Sequence, residues 1–155
     1  MKPKFKVLKK KNSREKIVFA NGVFDIVHKG HIDLLKFAKS LGGKLVVGLN
    51  SDHSTKIIKG PERPVNNERD RKAFLEMLGF VDEVIIFDEL ITTDVIARVR
   101  PDIVVKGNEW PVEELRKKDN IPDHIEIVLA PLTINPEDSK KYSTTDIIKK
   151  IKGVG

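Results

Sequence analysis

The chain has 155 residues, enough for one domain with a substantial core, and it contains no cysteine. The lack of cysteine excludes disulfides and thiolate-bound metals, and no apolar run is long enough to span a bilayer. We therefore expect a cytoplasmic protein that has no membrane partner.

The positive charge is concentrated at the start of the chain. The first 16 residues hold eight basic residues and one acidic residue, a net +7 against +6 for the whole chain, which leaves −1 for residues 17–155. We interpret residues 1–15 as a basic, solvated N-terminal arm and residues 16–155 as a single domain. Nucleic-acid binding by the arm is the alternative, but no aromatic residues alternate with its charges, so no nucleic-acid partner is expected.

Apolar strand-like runs alternate with helical patterns along residues 16–155. The predicted strands cover 17–20, 44–50, 84–87, 103–105 and 125–129, and the predicted helices cover 32–41, 67–79, 91–99, 112–118 and 146–151. This alternation predicts an α/β fold, a Rossmann-like, doubly wound, parallel five-stranded sheet in one domain. The polar segment 51–66 is predicted to be a long loop. On the helix 67–79, the apolar side is expected to carry Ala73, Phe74, Met77 and Leu78.

The segment from Asn21 to His31, NGVFDIVHKGH, joins the first strand to the first helix. Ligands of open α/β sheets bind at the carboxyl ends of the strands, and a helix start offers N–H groups that suit phosphate. Because His28 and His31 are three residues apart, both imidazoles can reach one anionic group. A purely capping role for the pair is the alternative, and the spacing does not match the zinc helix motif.

These residues carry a family resemblance. GVFDIVHKGH resembles the HxGH signature of the nucleotidyltransferases, which couple a nucleoside triphosphate to a phosphorylated acceptor and release pyrophosphate. LVVGLNSDHSTKIIKGPERPVN, Val105–Gly107 and Ser143–Lys149 are similar to the adenylyltransferase domain of the ADP-heptose synthases, so the resemblance covers residues 16–152. It implies an ATP-dependent enzyme that acts on a sugar phosphate of the heptose 1-phosphate type, with Mg²⁺ on the phosphates, and a homodimer.

The resemblance also implies a set of site residues. The expected catalytic residues are His28, His31, Lys59, Arg71 and Thr144. The expected nucleotide-binding residues are Asn21, Gly22, Val23, Phe24, Lys56, Lys106, Gly107, Asn108, Ser143 and Thr145. The sequence does not decide which of Lys56 and Lys59, or of Lys149 and Lys150, contacts phosphate. Asp25 either orders its loop or faces the metal or the acceptor, and Trp110 either stacks on a base or packs.

Two other functions compete with this one. Glycerol-3-phosphate cytidylyltransferases are similar over the same span, and residues 107–110 read Gly-Asn-Glu-Trp where heptose enzymes often read Gly-Gly-Asp-Tyr. The first alternative is therefore a CTP-dependent enzyme for glycerol 3-phosphate or another polyol phosphate. The second is a non-catalytic nucleotide-binding or nucleic-acid-binding module.

Overall fold

The structure, a computed structural model, describes residues 15–153, and the basic arm predicted at residues 1–15 lies outside them except for Glu15. The strands are β1 (Ile17–Gly22), β2 (Lys44–Asn50), β3 (Glu83–Phe87), β4 (Ile103–Gly107) and β5 (Glu126–Ala130). The helices are α1 (Lys29–Ser40), α2 (Asp52–Lys59), α3 (Glu68–Met77), α4 (Thr93–Val99), α5 (Val112–Lys118) and α6 (Thr144–Ile151). No helix within residues 15–153 has the length and apolar character needed to cross a membrane.

All neighbouring strands are parallel, and their order is β3-β2-β1-β4-β5. The chain adds β2 and β3 on one side of β1 and then returns to place β4 on its other side. Such a reversal opens a crevice between the carboxyl ends of β1 and β4. The segment that follows β1 therefore begins in this crevice.

Helices cover both faces of the sheet, as the predicted doubly wound fold requires. On one face, Leu35 and Ala38 of α1 and Leu75 of α3 pack with Val18 and Val47. On the other face, the α4 side chains Val95, Ile96 and Val99 pack with Phe19 and Val46. Because both faces are buried, the central strands read as continuous apolar runs rather than as alternating ones. The α/β prediction is confirmed.

The prediction of a long loop over 51–66 is wrong, because α2 occupies its first half. The Ser51 side chain caps this helix by accepting a hydrogen bond from the Ser54 amide, and the helix ends at Gly60. Ser54 is buried while Ile57 and Ile58 are exposed, so the apolar pattern that marks most helices is inverted here. The serine cap and the terminal glycine were the signals that could have identified it.

The predicted apolar side of helix α3 is wrong for Ala73, Phe74 and Met77, which are exposed, whereas Leu78 packs against the core as expected. Phe74 and Met77 are 47% and 84% exposed, whereas the buried residues of α3 are Arg71 and Leu75. The helix therefore turns a charged side chain inward, which apolar periodicity cannot reveal.

Candidate active site

A cavity of about 490 Å³ lies across the carboxyl ends of the five strands. Twelve of the fifteen expected site residues line it, together with Asp25. The twelve are Asn21, Gly22, Val23, Phe24, His28, His31, Lys59, Gly107, Asn108, Ser143, Thr144 and Thr145. The structure therefore brings together motifs separated by more than 100 residues in the chain.

The two histidines at the start of α1 are held by the backbone. Nδ1 of His28 accepts a hydrogen bond from the Gly30 amide at 3.1 Å, and Nδ1 of His31 accepts one from the His28 amide at 3.2 Å. Their rings stack, with centroids 3.8 Å apart and planes inclined by 20°. Because both Nδ1 atoms are acceptors, each neutral ring must carry its proton on Nε2. The pair therefore offers two Nε2–H donors.

Burial determines the charge of this pair. Burial, and to a smaller degree the neighbouring His28, together lower the pKa of His31 to about 3, although Asp25 opposes the shift. Burial also lowers the pKa of His28. Desolvation disfavours the charged imidazolium, so the rings are neutral near pH 7 and stack without charge repulsion. In the free protein they act as hydrogen-bond donors rather than as fixed cations.

The loop between β1 and α1 has a strained backbone and is held by hydrogen bonds on two sides. Phe24 and Ile26 have φ angles of +48° and +49°, in the left-handed region that side-chain-bearing residues rarely adopt. On one side, Thr144 Oγ1 donates to the Asp25 carbonyl at 2.7 Å. On the other, the buried Asp25 carboxylate accepts from the amides of Val65 at 2.7 Å and Asn66 at 3.0 Å. Asp25 therefore orders the loop.

The segment that leads into α6 contacts the histidine pair through Tyr142. Ser143 caps the helix by accepting from the Asp146 amide, and Thr144 and Thr145 form its first turn. The ring of Tyr142 stacks on that of His28, with centroids 5.9 Å apart and planes inclined by 21°. First-turn amides have no partner within a helix, so this end suits a phosphate beside the imidazoles.

Arg71, expected to bind the phosphate region, is not brought into the cavity. It is 2% exposed, and its guanidinium is surrounded by protein acceptors. Nε donates to the Asn66 carbonyl, one Nη to the carbonyls of Val23 and Asn50, and the other Nη to Asp52 Oδ1, all at 2.7–2.9 Å. Each nitrogen is therefore used in holding α3 to the ends of β1 and β2.

Two of the three expected lysines also lie away from the cavity lining. Lys106 Nζ is 2.6 Å from Asp119 Oδ2 and 2.9 Å from Asn21 Oδ1, so protein atoms hold it. This contact fixes the Asn21 amide, which does line the cavity. Lys56 is exposed on α2 and does not line the cavity, whereas Lys59, at the end of the same helix, does.

Several cavity residues escaped the sequence analysis, chief among them Arg63, Asp119 and Tyr142. Arg63 lies in a turn between two prolines, where nothing local distinguishes it from a solvated arginine. Tyr142 directly precedes the Ser143 motif, a position that could have identified it. Trp110 is 52% exposed outside the cavity lining, with Lys118 Nζ 5.6 Å from the centre of its ring.

The ligand sets that hold metal ions in proteins combine several side chains such as His, Asp and Glu. The described residues 15–153 contain no group of three or more His, Asp or Glu side chains that could hold a metal ion. The Asp25 carboxylate, the ligand that the sequence offered, already accepts three hydrogen bonds from residues 63–66. The Asp25 carboxylate is therefore used in ordering its own loop.

Known proteins are similar to this chain in sequence and in fold. A family model described as cytidylyltransferase-like matches residues 19–150. The bifunctional protein HldE of Campylobacter concisus (strain 13826) is 45% identical over 139 residues, which cover 90% of this chain and 28% of that protein. HldE of Campylobacter jejuni (strain ATCC 700819 / NCTC 11168) is 47% identical over 146 residues, covering 94% of this chain and 30% of that protein. The chain thus spans less than a third of the length of these relatives.

A solved structure extends the comparison. The lipopolysaccharide core biosynthesis protein from Thermoplasma volcanium GSS1 has a TM-score of 0.67 at 32% sequence identity. The match covers 83% of this chain and 99% of that one. The similarity therefore includes nearly all of that protein and most of this chain.

Proposed function

The chain belongs to the cytidylyltransferase-like family and is a nucleotidyltransferase, as its motifs predict, and we propose that it transfers AMP from ATP to a heptose 1-phosphate-type sugar phosphate. Similarity to the HldE proteins over at least 90% of this chain supports the sugar-phosphate acceptor. The similar Thermoplasma volcanium protein is a lipopolysaccharide core biosynthesis protein, which is consistent with a sugar substrate.

The proposed reaction is a direct displacement at the α-phosphorus of ATP. An oxygen of the acceptor phosphate forms a bond to that phosphorus while the bond to the oxygen bridging the α- and β-phosphates breaks. Pyrophosphate leaves with that electron pair, and the sugar nucleotide remains. Because the attacking oxygen is already an anion, no general base and no covalent enzyme intermediate are needed. Catalysis then consists of positioning and of stabilising charge at the phosphorus.

The pair of Nε2–H donors beside the start of α6 carries this proposal. His28 and His31 would donate to oxygens of the reacting phosphate, where negative charge grows in the transition state. Thr144 would keep the first turn of α6 beside them through its bond to the Asp25 carbonyl. Lys59, at the end of α2, would bind the triphosphate as a mobile cation.

Mg²⁺ would enter as part of the nucleotide substrate, held by phosphate oxygens and water. It would neutralise phosphate charge and so favour the attack of one anion on another. The metal requirement, the cytoplasmic location and the absence of nucleic-acid binding remain predictions.

The test is an assay of pyrophosphate release in which ATP and CTP are each paired with heptose 1-phosphate and glycerol 3-phosphate. We expect ATP with heptose 1-phosphate to give the highest kcat/KM and an ADP-sugar product visible by mass spectrometry. Preference for CTP with glycerol 3-phosphate would establish the cytidylyltransferase alternative. Binding of nucleotide with no turnover on any pair would favour the non-catalytic alternative.

The predicted homodimer needs a separate measurement. Sedimentation velocity of the full chain should give a mass twice the 17.5 kDa of one chain. A single species at the monomer mass, across the micromolar range, would contradict this expectation.

A further inference from the structure

Arg63, a residue that the sequence analysis did not select, extends into the end of the cavity where the phosphates are expected. It lies between α2 and α3, and its side chain is only 13% exposed. Nε is 3.3 Å from Asp25 Oδ2, and one Nη is 3.5 Å from Thr145 Oγ1 in the first turn of α6. The guanidinium is therefore held between a buried carboxylate and the start of a helix.

Most of the hydrogen-bonding capacity of this guanidinium is unused. It carries five N–H donors, and within residues 15–153 its hydrogen bonds are the two to Asp25 and Thr145, both of them long. The Asp25 carboxylate is shared with the amides of Val65 and Asn66, so it only partly satisfies Arg63. A largely buried cation with open donors at a cavity wall is well suited to a ligand with several anionic oxygens.

The neighbours of Arg63 indicate which oxygens these are. Thr145 lies in the first turn of α6, and Thr144 and His28 line the same cavity. A triphosphate whose α-phosphorus lies at the imidazoles would place its outer phosphates along the start of α6. Arg63 lies at that helix start rather than at the β3 edge of the cavity, where Phe87 and Thr92 lie.

We infer that Arg63 binds the β- and γ-phosphates of the nucleotide and stabilises them as they leave as pyrophosphate, with Asp25 as its positioning residue. This inference rests on the proposed function for the order of events, because charge moves onto the leaving group as the bond to the α-phosphorus breaks. A guanidinium suits this role since its planar fork can bind two phosphate oxygens at once.

Pyrophosphate binding tests this directly because it requires no sugar acceptor. The full chain, with Arg63→Ala and Arg63→Lys variants, is titrated with inorganic pyrophosphate in Mg²⁺ buffer by calorimetry. We expect Arg63→Ala to raise the Kd at least about tenfold and Arg63→Lys to recover only part of the loss. Arg69→Ala, which removes an exposed arginine of α3, is the matched control and should bind like the wild type.

Steady-state kinetics provide the second readout. Arg63→Lys should raise the KM for ATP while leaving the KM for the sugar phosphate within about twofold. A raised acceptor KM with unchanged pyrophosphate binding would show that Arg63 binds the acceptor phosphate and would overturn the inference. Unchanged pyrophosphate binding in folded Arg63→Ala, or in Arg63→Lys should the alanine variant not fold, would also overturn it, as would a wild type that does not bind pyrophosphate.

Failure of the proposed function has a different result. A wild type that binds pyrophosphate but forms no ADP-sugar from heptose 1-phosphate would refute the proposed acceptor. The role of Arg63 would then still be decided by the pyrophosphate titration alone.

Discussion

Arg63 and Arg71 both bring a guanidinium to the loop after β1, but the protein surrounds them differently. Three carbonyls and one carboxylate use the nitrogens of Arg71 at 2.7–2.9 Å. Arg63 has two contacts of 3.3 and 3.5 Å and lines the cavity. A buried charge must be satisfied by something, and where the fold does not provide the partners, a ligand can. The fold therefore satisfies the guanidinium of Arg71, whereas it leaves donors of Arg63 available to a ligand.

The largest effect should come from removing the satisfied guanidinium. Arg71→Ala leaves three carbonyls and Asp52 without their donor, so we expect the free energy of unfolding to fall by about 3 kcal/mol or more. Urea denaturation measures this, and Arg69→Ala on the same helix should change it by less than about 0.5 kcal/mol. A stable Arg71→Ala variant that has lost ATP binding would reverse the assignment of the two arginines.

The next effect concerns the donors of the histidine pair. His31→Ala should lower kcat by about 10²-fold or more, the scale of losing an oxyanion-type donor, while the protein remains folded. Steady-state kinetics with circular dichroism test this. His53→Ala removes an exposed histidine of α2 and should leave kcat unchanged. If His31→Ala retains the wild-type kcat, His31 takes no part in the reaction.

Stability should also depend on pH through His31. Its pKa of about 3 in the folded protein lies below the ordinary 6.5, so acid protonates the unfolded chain first. The neutral His31 stabilises the folded protein fully above about pH 6.5, and this stabilisation is lost as the pH falls towards 3. The loss in the free energy of unfolding is about 2 kcal/mol at pH 5. Urea denaturation should show that the free energy of unfolding changes less between pH 7 and pH 5 in His31→Gln than in the wild type. Equal differences would place the imidazole in water.

The smallest effect separates two lysines of one helix. Lys59→Ala should raise the KM for ATP about tenfold, the scale of one hydrogen bond to a charged group. Lys56→Ala should leave the KM unchanged, because Lys56 is exposed and does not line the cavity. Comparing the two variants at saturating acceptor measures this, and a larger effect at Lys56 would contradict the geometry of α2.

Local pattern was sufficient where burial and periodicity agree. Apolar runs identified the five strands, and the glycine-flanked histidines identified the junction of β1 and α1. Both signals are contained in short stretches of sequence, so local pattern was enough to find them. It failed at α2, where small polar residues are buried and Ile57 and Ile58 are exposed. It failed again at α3, where an arginine occupies a core position.

By itself, the sequence determined the chain order of the five strands, the chain order of every described helix except α2, and the parallel sheet. Only the tertiary structure decided which cations face the cavity. The acceptors that use Arg71 lie up to 48 residues away, Asp25 is 38 residues from Arg63, and Asp119 holds Lys106 across the end of α5. Whether a side chain is satisfied depends on atoms brought together by the fold, and no local spacing encodes those distances.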